Sequence, residues 1–187
     1  MKTHLYILLF LIFPLVVTAQ HPEDTAVLKT ILHRYYKTEK PVYKGRSQLL
    51  YLYCQRANNN EELVEAIQGT AIPKDFKQEI RAKIADWSDK DWLAELESIY
   101  QIDQTNLRQK ISKCLTLEQY QEVSGRLNLN NQRLMIVSKP LYHSKSNIAL
   151  VKVTFYRNIE HNSGAVLLLE KTNGHWTIKD YLNAWST

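Results

Sequence analysis

The sequence predicts an α+β protein in which an N-terminal set of short helices packs on a C-terminal antiparallel sheet of about four strands. From about residue 22 to 126, apolar residues recur at intervals of three and four. From about 133 to 187 they alternate, or run together, between turn residues. A third observation sets a register. Asn173-Gly174 lies between two such runs, and this dipeptide accepts the positive backbone angles of a two-residue hairpin turn.

Residues 1–19 read as a secretory signal: Lys2, an apolar run from Leu5 to Val17, then Val17-Thr18-Ala19 before Gln20. The run falls short of the roughly 20 residues a spanning helix needs. No stable membrane anchor is expected after cleavage, and the destination is periplasmic or extracellular. The remaining 168 of 187 residues suit a single domain, 20–187. A chain of that size buries near ~70% of its unfolded surface. The formal charge drops from +5 to +4 without Lys2 and is spread along the chain, so nucleic acid is not implied.

Val27, Leu28, Ile31, Leu32, Tyr35 and Tyr36 paint one face of a first helix that starts near Glu23. Pro41 and Gly45 mark a loop. Leu49 to Cys54 is an apolar run without a clear period, read as helix. Asn58-Asn59-Asn60 caps a helix over Glu61 to Gln68 that Gly69 closes, and Pro73 fits the first turn of the next, with Phe76, Ile80 and Ile84 at fours. Ser88 is placed to cap a segment carrying Trp92, Leu93, Leu96 and Tyr100. Leu107, Ile111, Cys114 and Leu115 keep helical spacing, and Thr116 to Gln119 forms a capping box for a short helix stopping at Gly125.

In the sheet, Arg133 to Ser138 forms a strand that ends at Pro140. Ala149, Val151, Val153 and Phe155 alternate with Lys152 and Thr154, the pattern of a half-buried strand. Gly164 to Lys171 is nearly continuous apolar, as in a strand covered on both faces. With Asn173 and Gly174 as the loop, Thr172 faces His175, Lys171 faces Trp176, Glu170 faces Thr177 and Leu169 faces Ile178. Trp176, Ile178 and Leu169 then share a buried face.

Few residues suggest chemistry. Cys54 and Cys114 are the two cysteines, and in an exported chain they are a candidate disulfide; each also reads as a small buried apolar residue. No Cys/His set has zinc spacing, no phosphate-binding loop occurs among five glycines, and neither metal nor cofactor is expected. The loop 157–163 holds the catalytic candidates Glu160 and His161, as base and orienter, with His143 as a third. Polar side chains in a long hairpin loop are most often simply solvated. Arg157, Tyr51, Tyr53 and Tyr181 are the ligand-binding candidates, against the commoner role of aromatic residues as core.

Ser138-Lys139-Pro140-Leu141-Tyr142, Ala149-Leu150-Val151, Gly164, Leu169-Glu170-Lys171 and Asn173-Gly174-His175-Trp176-Thr177-Ile178, ending near Trp185, resemble the tail of small secreted proteins of Bacteroidota-type bacteria that have no assigned function. The resemblance covers about 50 residues. It implies an exported α+β protein and transfers no catalytic residue. The final hairpin is also similar to nuclear-transport-factor-like folds, which host both enzymes and binding modules; those have longer strands and fewer helices before the sheet. Two functional classes follow. The preferred one is a non-catalytic binding or interaction module for a protein, peptide or glycan. The other is a hydrolase using the acid/base residues of the 157–163 loop.

Overall fold

In the computed structural model, residues 20–37, 49–102, 107, 111, 114–127 and 132–187 are described. The expected signal (1–19), the loop from Pro41 to Gly45 and most of the segment from Leu107 to Leu115 fall outside them. The helices are α1 (Gln20–Lys37), α2 (Glu61–Ala66), α3 (Lys74–Lys83), α4 (Leu93–Ile102) and α5 (Leu117–Leu127). In α1 the periodic residues Val27, Leu28, Ile31 and Leu32 are fully buried. Pro73 stands just before the first turn of α3. The cap expected of Ser88 falls to Asp91, whose Oδ1 accepts the Leu93 amide at 3.0 Å. The capping box of α5 forms as read: Thr116 Oγ1 accepts from the Gln119 amide (3.2 Å) and Gln119 Oε1 from the Thr116 amide (2.9 Å). That helix runs through Gly125 to Leu127 instead of stopping.

The sheet is larger than predicted and is mixed. Its six strands are β1 (Leu49–Leu52), β2 (Gln132–Val137), β3 (Leu141–Tyr142), β4 (Ile148–Tyr156), β5 (Asn162–Thr172) and β6 (His175–Ser186). Their order is β1-β2-β4-β5-β6, with β3 also on β4. The run at Leu49, read as helix, is a strand lying parallel to β2, so a strand interrupts the helical part of the chain. Leu50 and Leu52 are buried while Tyr51 between them is half-exposed, an alternation too short to distinguish from a helix turn in the sequence. Beyond β1 the chain stays beside β2, with the Tyr53 amide on the Met135 carbonyl (2.8 Å) and the Ala57 amide on Val137 (3.0 Å).

The four antiparallel strands read from the sequence are β2, β4, β5 and β6, and Pro140 separates β2 from β3 along the same side of β4. The final hairpin has the predicted register from Thr172↔His175 to Leu169↔Ile178. Asn173 (φ 51°) and Gly174 (φ 80°) supply the two positive angles of its turn.

Helices cover both faces. On the first, Val151, Val153, Leu167 and Leu169 pack under α1 and α4; on the second, Leu150, Val166 and Leu182 pack under α2 and α3. Covered from both sides, β5 needs the continuous apolar run that its sequence shows. Cys54 and Cys114 are joined by a disulfide with Cα atoms 4.8 Å apart. In the chain-entropy picture a loop of 60 residues gives about 4 kcal/mol of stabilisation.

One polar group sits deep in this packing. Arg56, 7% exposed, donates through Nη1 to Asp24 of α1 and through Nη2 to Glu95 Oε1 of α4 (2.5 Å), and its Nε donates to the Asp91 carbonyl (3.0 Å). Its guanidinium lies 4.3 Å from the centre of the Trp92 ring. Tyr142 of β3 donates its hydroxyl to Asp24 Oδ1 (2.7 Å), and burial next to that carboxylate pushes the phenol well above its ordinary pKa. Removing the cation strands two carboxylates out of water, which costs about 3 to 5 kcal/mol. Arg56→Met is therefore expected to lower the urea unfolding free energy by that amount at neutral pH. A loss under about 1 kcal/mol would show that the network does not hold the elements together.

Candidate functional site

The structure separates His143 from the other two catalytic candidates. Asn158 Oδ1 accepts the amides of Glu160 (3.0 Å) and His161 (2.8 Å), which closes the loop on itself and leaves both side chains in solvent. Ile159 beside them is 89% exposed. His143 lies at the other end of β4, its amide on the Ile148 carbonyl (3.0 Å), whereas the loop follows Tyr156. A nine-residue strand spans roughly 27 Å.

His143 belongs to a latch between α3 and the β3–β4 connection. Its ring stacks on Phe76 (4.9 Å), Nδ1 is 2.5 Å from Ser146 Oγ, and Nε2 is 3.4 Å from Asp75 Oδ1 and 3.8 Å from Glu79 Oε1. Ser144 donates its hydroxyl and amide to Glu79, and Lys145 holds Asp75 Oδ2 at 3.1 Å. The imidazole is 3% exposed, so its nearest partners are the latch and not a substrate. The hydrogen bond from Lys145, with that of the Phe76 amide, holds the Asp75 carboxyl below its ordinary pKa; that from Ser144 does the same for Glu79.

The ligand candidates divide. Tyr53 donates to Gln55 Oε1 (2.9 Å), and Tyr181 accepts from Arg34 Nε (2.7 Å); both are engaged away from the other two. Tyr51 and Arg157 meet around Tyr120 of α5. The Tyr120 ring is 5.9 Å from those of Tyr51 and Tyr156, and its hydroxyl reaches the Arg157 carbonyl at 3.4 Å.

These aromatics border an uncovered part of the second sheet face. Pairing places Ile136 beside Thr154, Thr154 beside Gly164, and Gly164 beside Trp185 in one row across β2, β4, β5 and β6. Ile136 and Thr154 are half-exposed although their strands are internal to the sheet, because α2 and α3 sit farther along over Leu150 and Val166. One wall is the Tyr51–Tyr120–Tyr156 row. The opposite wall is Lys152 with Glu62 of α2, their side chains 18% and 22% exposed and joined as an ion pair. Trp185 closes one end, with its Nε1 on Glu62 Oε1 (2.9 Å) and its indole across Gly164. A Cβ at Gly164 would come 2.9 Å from the Val153 carbonyl and 3.0 Å from that ring, so glycine lets the indole approach the strand closely.

The alternation of Lys152 and Thr154 did mark a polar outward row in the sequence, and Gly164 in an apolar strand is a recognised sign of close approach. Glu62 and Trp185 carry no such sign, since 123 residues separate them. Elsewhere on this face, a groove of about 470 Å³ between Thr70–Pro73 and β6 is floored by Ile148, Leu168 and Leu182.

Among the described residues no three His, Cys, Asp or Glu side chains are arranged to hold a metal ion, and no helix is long and apolar enough to cross a membrane. No protein-family model, curated protein or solved structure matches the chain.

The latch makes a pH prediction. Folded-state pKa values below the ordinary 3.8 of Asp75 and 4.5 of Glu79 mean that their contribution is complete above about pH 5 and is lost as pH falls through the folded values. The urea midpoint is expected to hold between pH 7 and about 5 and to drop below about 4, with a shallower drop in Glu79→Gln. An identical acid slope in that variant would remove Glu79 from the account.

Proposed function

We propose that this chain is an exported, non-catalytic binding module whose ligand lies in the uncovered cleft over Ile136 and Thr154. The observation that carries the reading is that these two residues, on internal strands of a sheet with helices over both faces, are only partly buried. A floor of that kind, bordered by larger side chains and a small number of polar groups, has the composition of a ligand site. Among the described residues that border it, none pairs a nucleophile with a base. Among the described residues the carboxylate in its walls is Glu62, which is committed to Lys152 and Trp185. Export is supported by the Cys54–Cys114 disulfide, since such bonds persist in oxidising compartments.

A chemically broad thermal-shift screen tests the proposal. Ligands that raise the melting temperature are expected to be recovered unchanged after incubation and to lose their effect in Thr154→Arg, which fills the cleft floor. Turnover of a hit, or stabilisation undiminished by Thr154→Arg, would contradict it.

A further inference from the structure

We infer that the turn carrying Trp87 forms a second binding surface, separate from the cleft, which takes a cationic side chain, arginine or lysine, of a protein partner. Trp87 is 80% exposed. The exposure is not that of a loose loop, because the turn is tied to the chain beyond β1. The Ser88 amide donates to Asn58 Oδ1 (2.9 Å), the Arg56 amide donates to the Lys90 carbonyl (3.1 Å), and Gln55 and Asp91 form an antiparallel bridge. Held in this way, the indole borders a cavity of about 340 Å³ whose walls also include Tyr53, Gln55 and Asp89. The Tyr53 hydroxyl donates to Gln55 Oε1 (2.9 Å), which restrains the second ring. A large apolar side chain held in water beside a cavity marks a contact surface.

Charge selects the occupant. Asp89 is exposed in the cavity wall, and the segment 86–91 carries three aspartates against one lysine. Among the described residues the one cation in the lining is Arg56, which is 7% exposed and already met by two carboxylates, Asp24 and Glu95. An anion would therefore face Asp89 with little positive charge to offset it. A cation meets Asp89 together with two aromatic side chains, and a guanidinium or ammonium group over an aromatic face is attracted by the ring quadrupole. The exposed indole argues for a protein as its source. A small free cation covers part of such a ring, whereas a protein surface that carries the side chain covers the rest, and tryptophan is enriched among the anchors of protein interfaces.

Amide and indole spectra of the isotope-labelled protein, titrated with the capped pentapeptide Gly-Ser-Arg-Ser-Gly, test the inference. Comparator peptides replace the arginine by lysine, by its neutral isostere citrulline, or by glutamate. The arginine and lysine peptides are expected to shift the Trp87 indole and the Asp89 amide, and the other two to leave both in place. Trp87→Leu, read at the Asp89 amide, and Asp89→Asn, read at the Trp87 indole, should each weaken the arginine peptide by about threefold or more. Glu160→Gln, which removes the same charge beyond the other end of β2, should leave it unchanged. Both cavity positions are exposed, and the remaining amide signals establish that each variant is folded. Methylguanidinium alone should bind at least threefold more weakly than the arginine peptide. No shift with either cationic peptide, equal shifts with the citrulline peptide, or undiminished affinity in Trp87→Leu and Asp89→Asn would overturn the inference. Methylguanidinium binding as tightly as the peptide would overturn the protein partner and leave a small free cation as the occupant.

Discussion

Arg56 carries a full positive charge into a place with almost no water, and four parts of the chain are arranged to accept it. Asp24 comes from α1, Glu95 and the face of Trp92 from α4 and the turn before it, and Tyr142 from β3 steadies Asp24 from the far side. The partners are 32 and 39 residues from Arg56, and Tyr142 is 118 from Asp24. A buried ion pair adds little net stability compared with an apolar replacement, but a misplaced one is costly. Its effect is therefore on arrangement. With α1 and α4 fixed over the first face, that face is filled from Met135 to Trp176.

The second face is finished differently. Two short helices, α2 and α3, cover its middle, and the latch around His143 fixes α3 at one end of β4. Among the described residues nothing equivalent covers the stretch between Glu62 and Tyr156. The open part of an otherwise covered face is a natural place for a ligand. The Gly164–Trp185 contact then shapes its end, since a side chain at 164 would lift the indole away.

Much of the sheet was legible because its determinants are local. The alternation in β4, the apolar run in β5 and the Asn173-Gly174 turn are each complete within a dozen residues, and the predicted hairpin register follows from the turn alone. The strand β1 was not legible. It is four residues long, it pairs in parallel with a segment some 80 residues later, and neither its length nor its apolar content separates strand from helix. The same holds for the site. Tyr51 and Arg157 stand out by residue type and come together around Tyr120, whereas Glu62, Lys152 and Trp185 matter only through partners that the chain brings from afar. Glu160 and His161, adjacent in sequence, gain nothing from adjacency once Asn158 has turned their loop outward.

The central claim is that the open part of the second face is where this protein meets its ligand. Nuclear magnetic resonance mapping of a bound ligand tests it most directly. The account predicts shifts confined to the amides of Ile136, Thr154 and Gly164 and the indole N–H of Trp185. Shifts centred on Glu160 and His161, or on the groove beside β6, with the Thr154 and Trp185 signals unmoved, would contradict it.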